Sequence, residues 1–269
     1  MKRIFTFLLT IVAVLSATAQ PYLVGHRGSR WGVENTEQAF INGAKKGYHC
    51  LETDVKVTKD GKFVCCHNDD LTSWGGTLTI ASSNLSALQA QKLTQTRGGV
   101  TYTGYLTTFE RYLDICKEYG CIPVIEFKWA TGINSNDQSN IPALIKIIEE
   151  KGFRNNCYIF TSMKNCLTYV KKNYPDMEIM LLVYSENFDS SLDWCKTNSA
   201  HMGTGVGSEI TKAGVQKYHD AGLLVNAWTI NSTSDYKTYG NYGCDFITIL
   251  NYEFLILNYS LQNSATQRW

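Results

Sequence analysis

Several signals are missing from this 269-residue sequence, and each absence removes a class of function. There is no charge of one sign to speak of: 25 Lys and Arg stand against 24 Asp and Glu. A net charge of +1 gives no general attraction for nucleic acid or an anionic membrane, so any anionic ligand must be held by a local cluster. Beyond residue 20 no apolar run is long enough to span a bilayer, which argues against stable membrane insertion. The nine cysteines include no C-x-x-C pair and no other metal-ligand spacing. No linker-like stretch interrupts the chain, and 44% hydrophobic content suits one domain with one sizeable core.

What is present begins with Lys2 and Arg3, an apolar run from Ile4 to Leu15, and Ala17 and Ala19 in an A-x-A arrangement. This pattern predicts a signal peptide over residues 1–19 and an exported, periplasmic or secreted protein, with the mature domain over 20–269. Export favours paired thiols, yet Cys50, Cys121, Cys157 and Cys244 sit in apolar strand-like runs. They read first as small buried hydrophobes, with a disulfide as the alternative.

After residue 20, short β-branched or aromatic runs alternate with longer helical patterns. Strands are predicted over 22–25, 50–57, 63–67, 122–127, 157–161, 178–183, 200–203, 223–229 and 246–250. Helices are predicted over 36–46, 108–119, 141–151, 163–173, 209–221 and 234–242. This alternation predicts an α/β fold, either a parallel barrel or an open doubly wound sheet. KDG at 59–61 reads as a tight hairpin with Asp60 and Gly61 as its central pair. Residues 68–105, rich in Ser, Thr, Gly and Gln with a weak helix near 85–93, read as an inserted lid or binding loop.

Chemistry concentrates at the predicted strand ends. In LETDV, Glu52 and Asp54 point the same way, as do Glu126 and Lys128 in IEFKW. A two-residue KDG turn would set His67 directly across from Asp54. GHRGSRWGVENT at 25–36 adds His26, Arg27, Glu34 and Asn35 after the first strand. Any one of these is most simply a solvated rim residue, but so many together would be costly to bury without a purpose. Three carboxylates without a thiolate suit one hard divalent cation, Ca²⁺ or Mg²⁺. Two histidines can move protons near neutral pH, and Arg27 and Lys128 can hold phosphate oxygens. Cation, phosphate clamp and proton-transfer pair together describe cleavage of a phosphate ester.

These residues resemble the glycerophosphodiester phosphodiesterase family of TIM-barrel enzymes. The resemblance runs through HRG at 26–28, ENT at 34–36, AF at 39–40, ETDV at 52–55, TKDGKFVCCH at 58–67, LTTFERYL at 106–113, EFK at 126–128 and AWTIN at 227–231. It implies a closed (β/α)8 barrel with the site at the C-terminal strand ends and a small insertion after a hairpin following strand 2. It also implies that His26 and His67 are the acid/base pair and that Glu52, Asp54 and Glu126 hold the cation. Glu34 is a possible addition to the site. Arg27 and Lys128 would contact the phosphate, and Trp228 would wall the pocket. The substrate would be a small glycerophosphodiester, cleaved to glycerol 3-phosphate and an alcohol.

The sequence departs from the family pattern at Asn68, which replaces an acidic neighbour of His67, at DLTSWGG (70–76) and at TILN (248–251). GTGVG at 203–207 lacks the strand, turn and acidic residue of a nucleotide fingerprint and reads as a strand-end loop. His201 and His219 have no ligand-spaced partners and read as structural or surface residues. Two alternatives to the phosphodiesterase reading are a phospholipase acting on intact lipids on the same scaffold, and a catalytically silent glycerophosphate-binding barrel.

Overall fold

In the computed structural model, which describes residues 20–250, the alternation resolves into a closed barrel. Its strands are β1 (Tyr22–Gly25), β2 (Cys50–Val57), β3 (Phe63–Cys65), β4 (Leu93–Arg97), β5 (Val100–Gly104), β6 (Thr107–Thr108), β7 (Ile122–Phe127), β8 (Tyr158–Thr161), β9 (Glu178–Val183), β10 (His201–Gly205), β11 (Val225–Ile230) and β12 (Phe246–Ile249). The helices are α1 (Glu37–Lys45), α2 (Leu85–Gln89), α3 (Phe109–Tyr119), α4 (Ile141–Lys151), α5 (Lys164–Asn173), α6 (Leu192–Asn198), α7 (Lys212–His219) and α8 (Thr233–Tyr242). Parallel pairing runs β1-β12-β11-β10-β9-β8-β7-β2, and Val24 and Gly25 pair with Cys50 and Leu51 to close the ring. The predicted export segment at 1–19 lies outside the described residues.

The period-2 pattern sorts each strand between two environments. Val24, Val124, Phe160, Met180 and Phe246 fill the barrel interior. Their neighbours Leu23, Ile125, Ile159, Leu181 and Ile247 face outward and pack with Phe40, Tyr112, Leu144 and Val170 of the helices. Burying each such side chain stabilises the fold by about 1.5–3 kcal/mol. Local chemistry sets the helix ends: Thr108 accepts a hydrogen bond from the Arg111 amide at the start of α3, and Gly120 ends it in the left-handed region. The Tyr112 hydroxyl then donates to the Leu51 carbonyl at 2.6 Å, tying α3 to β2.

Strand β2 has two different neighbours along one edge. Its first residues pair with β1, and Val55, Lys56 and Val57 pair with antiparallel β3. Its other edge pairs with β7 from Cys50 to Val55. The turn after β2 differs from the predicted one. The Thr58 amide donates to the Lys62 carbonyl, so the loop holds three residues, 59–61, with Gly61 at φ +71°. The register therefore places Asp54 opposite Cys66, whose amide donates to the Asp54 carbonyl, and His67 follows beyond the end of β3.

The insertion is more structured than its composition suggests. Leu71, Trp74, Ile80, Leu88 and Leu93 form a satellite core with Val33, Val64, Cys66 and Leu106. The weak helix is realised only as α2, and Leu93 already begins the β4–β5 hairpin. Gly98 and Gly99 supply the positive φ angles of its turn. Helix α6 had no counterpart in the predicted pattern. All nine cysteines are free and buried, and burial pushes the Cys66 thiol up to about 12.

GTGVG is strand rather than loop over its first three residues, because β10 extends to Gly205. Gly203 leaves room for the Phe160 ring: a Cβ there would lie 2.1 Å from that ring. His201 begins β10 and His219 ends α7. The first accepts from the Leu224 amide at 3.1 Å and meets Glu178, and the second meets Asp245 at 2.9 Å.

Candidate active site

The C-terminal ends of β1, β2 and β7 place the predicted residues on one interior face. Parallel register sets Asp54 beside Glu126, with Glu52 two residues lower on the same face. Oxygen atoms of these three carboxylates lie within 4.8 Å of one another. Glu52 and Asp54 are 2% and 0% exposed, a placement that repulsion alone would oppose. Glu52 Oε1 and Asp54 Oδ1 are buried without a hydrogen-bond partner, so the donor set has unused capacity facing inward. Three hard oxygens with that capacity fit a divalent cation.

The electrostatics agree with this fit. Burial, then Asp54 and Glu126, raise Glu52 well above the usual carboxylate range. Burial and Asp54 push Glu126 up to about 7. Asp54 is held below its ordinary value because the charges of Arg27 and Lys128 outweigh its own burial. The cluster thus retains protons that a cation would displace.

The loop after β1 supplies the next residues through a constrained backbone. Gly25 is required where it stands, since a Cβ there would lie 2.1 Å from the Gly28 carbonyl oxygen. Arg27 and Asn35 both occupy the left-handed region, at φ +52° and +58°. Such residues persist where surrounding contacts over-determine them, and here the contacts are visible. The Arg27 amide donates to Glu52 Oε2 at 2.7 Å, and its guanidinium donates to Glu34 Oε1 at 2.7 Å and lies 3.5 Å from Asp54. Asn35 donates to Asp54 Oδ2 at 2.8 Å and accepts from Thr53 Oγ1.

His26 and His67 both feel the charge of Asp54. His26 Nε2 lies 3.9 Å from Glu52 Oε2, and its Nδ1 is buried without a partner. Burial, reinforced by Arg27, lowers its pKa to about 3. His67 is also lowered by burial, although the Asp54 charge opposes the shift. Its Nδ1 is 2.8 Å from Asn68 Oδ1, and Asn68 Nδ2 donates to Ser73 Oγ. That amide orientation makes Nδ1 the protonated nitrogen of the neutral ring and leaves Nε2 able to accept a proton.

Lys128 donates to Glu126 at 2.9 Å and lies 3.6 Å from Asp54. Trp228 lies on β11, with Tyr184 at a ring separation of 5.7 Å and its own indole nitrogen buried without a partner. Glu34 sits apart from the three-carboxylate group, and its oxygens meet arginines. Oε2 accepts from Arg97 at 2.6 Å and Gln95 at 3.1 Å, while Oε1 accepts from Arg27. Gln95 and Arg97 belong to β4, in the insertion. Sequence reasoning gave neither of them a role, nor Asn35 the task of holding Asp54. The available signal was Gly98-Gly99 flanked by alternating residues, which marks a hairpin whose residues 95 and 97 share a face.

Comparison with known proteins points in one direction. The family model described as "Glycerophosphoryl diester phosphodiesterase family" matches residues 25–249. A glycerophosphodiester phosphodiesterase of Arabidopsis thaliana is 32% identical over 91 residues, an alignment spanning 34% of this chain and 23% of that relative. Among solved structures, a glycerophosphoryl diester phosphodiesterase from Silicibacter pomeroyi superposes with a TM-score of 0.77 at 20% identity, covering 90% of this chain and 94% of that one. A phosphodiesterase from Oleispira antarctica, solved with the product sn-glycerol-3-phosphate, gives 0.75 at 20% identity, covering 89% and 96%. At these identities the structures establish the shared barrel. With a family match that covers residues 25–249, well over half of the chain, the chain belongs to the glycerophosphoryl diester phosphodiesterase family.

Proposed function

We propose that this protein hydrolyses small glycerophosphodiesters to glycerol 3-phosphate and an alcohol, with one divalent cation, Ca²⁺ or Mg²⁺. The observation that carries this reading is the trio Glu52, Asp54 and Glu126, converging within 4.8 Å beside Arg27, with His26 3.9 Å from Glu52. A bound cation supplies positive charge to the phosphodiester oxygens. Arg27, held by Glu34 and the Glu52 carboxylate, presents its guanidinium to the same oxygens, and Lys128 adds a second positive charge. One histidine takes the proton of the attacking hydroxyl, which belongs to water or to the substrate's own glycerol; in the second case the attack leaves a cyclic glycerol phosphate, and water then opens it to glycerol 3-phosphate. The other gives a proton to the departing alcohol oxygen. Trp228 packs against the glycerol carbons. The protein acts after export, with residues 1–19 removed.

The test is release of glycerol 3-phosphate from several glycerophosphodiesters by the protein lacking residues 1–19, with and without a chelator. Release that the chelator abolishes and added divalent cation restores is expected. Release that survives complete chelation would remove the cation from the mechanism, and cleavage of bilayer phospholipid with no cleavage of soluble diesters would redirect the reading to lipid substrates.

A further inference from the structure

Just past Asp54 the two strands that carry the carboxylates part. The ladder between β2 and β7 ends with Val55 opposite Phe127, and Lys56 and Val57 go on to pair with β3. The Lys56 side chain spans the gap that opens there. Its ammonium donates to Asp69 Oδ1 on one side and to the Trp129 carbonyl, at 3.1 Å, on the other. Both acceptors belong to segments that carry a residue of the site. His67 lies between Cys66, whose amide donates to the Asp54 carbonyl, and Asp69. Lys128 lies between Phe127, paired with Val55, and Trp129. Each is therefore held on one side by the backbone of β2 and on the other by the same ammonium.

We propose that Lys56 is a positioning residue, which sets His67 and Lys128 relative to the carboxylates by way of Asp69 and Trp129. The proposal rests on the phosphodiesterase reading above. The place calls for a cation with several donors. The Trp129 carbonyl lies past the end of the ladder and takes its hydrogen bond from a side chain. A hydroxyl or an amide would serve that carbonyl alone, whereas an ammonium, with its charge and three N–H groups, serves the carboxylate as well.

This contact differs from an ordinary surface ion pair. Asp69 is 82% exposed, but the Lys56 side chain is only 7% exposed, so its charge relies on these partners in place of water. By the period of two that side chain leaves β2 on the face that carries Glu52 and Asp54. Asp69 in turn carries the insertion: its carbonyl accepts from the Ile80 amide at 2.8 Å, and Ile80 belongs to the satellite core. The insertion and the segment after β7 are thus fixed to the strand that supplies two of the three carboxylates.

The experiment measures kcat and KM for glycerol 3-phosphate release, using whichever of glycerophosphocholine, glycerophosphoethanolamine and glycerophosphoinositol the cation-loaded wild type cleaves fastest. The variants are Asp69→Ala, Lys56→Met, and Asp69→Ala combined with His67→Ala. Asp69→Ala frees the His67 side alone and should lower kcat about 10-fold with KM unchanged, since a misplacement of about 1 Å costs up to about 10²-fold. Lys56→Met frees both sides, so kcat should fall at least as far and KM should rise as Lys128 loses its place. With His67 already replaced, Asp69→Ala should cost less than about 2-fold, because the two changes act through one group. An unchanged kcat in Asp69→Ala, or an undiminished loss in the His67→Ala background, would overturn the proposal. Should Lys56→Met fail to fold, Asp69→Ala and its cycle decide the question. A wild type that cleaves none of the three esters would instead overturn the phosphodiesterase reading.

Discussion

Replacing Glu34 with Gln tests whether the insertion is bonded energetically to the loop after β1 or merely touches it. The carboxylate is 8% exposed, its partner Arg97 is 8% exposed, and they meet at 2.6 Å. Arg27 completes the group at 2.7 Å from the other oxygen. A charged hydrogen bond contributes about 1.5–3 kcal/mol, and leaving one partner of a buried pair unmatched costs about 3–5 kcal/mol. Glu34→Gln keeps the shape and the Gln95 contact but turns an amide N–H toward one arginine. We expect unfolding free energy to fall by about 3 kcal/mol in urea titrations, with Tm lower by about 6–12 °C for a chain of this size.

A double-mutant cycle with Arg97→Gln should return a coupling of about 2 kcal/mol. By contrast, Arg111 and Glu37, ion-paired but 39% and 48% exposed, should couple by less than about 1 kcal/mol. The sign of the pH effect follows from the lowered pKa of Glu34, where Arg27, Gln95 and Arg97 outweigh the opposing effect of burial. This stabilisation is fully present above the unfolded value of about 4.3 and is lost as pH falls through the lower folded value. Additivity within about 0.5 kcal/mol at pH 7 would refute the argument, since independent sites behave that way.

Other outcomes follow from the same geometry. His26→Ala and His67→Ala should each lower kcat by about 10²- to 10⁴-fold in a glycerol 3-phosphate release assay, and near-normal turnover in either would remove that residue from proton transfer. Cation binding should tighten as pH rises from 6 to 8 and should release protons, because Glu126 at about 7 and the raised Glu52 must lose theirs; calorimetry in buffers of different ionisation enthalpy measures the count. Asn68→Asp puts a carboxylate beside His67 Nδ1, which favours the imidazolium, so the acid limb of the pH–rate profile should move up by about one pH unit. Gly25→Ala forces a Cβ to within 2.1 Å of the Gly28 carbonyl and should cost about 3 kcal/mol or prevent folding, as read by circular dichroism and soluble yield.

The three carboxylates were legible because they lie on strands bounded by clear signals. β2 matches its predicted limits, and α4 and β9 do as well. The hairpin register was less accessible: KDG fits two- and three-residue loops alike, and only the chosen loop decides whether Cys66 or His67 faces Asp54. Gln95 and Arg97 stood outside the predicted site because their partner Glu34 lies 61 and 63 residues away, a pairing that only the folded hairpin creates. Helix α6 was obscured by its short, polar sequence, LDWCKTN, of which only Cys195 is buried.

The divided edge of β2 has a consequence for how such a protein can change over generations. One edge is committed to β7 through every position that carries a carboxylate, while the other passes from β1 to β3 above Leu51. Ancestral lengthening, shortening or replacement of the segment that leaves through β3 would not require the carboxylate register to be renegotiated. A lineage can therefore revise the chain beyond His67 while inheriting the carboxylate cluster, because the register of that cluster is set on the β7 edge.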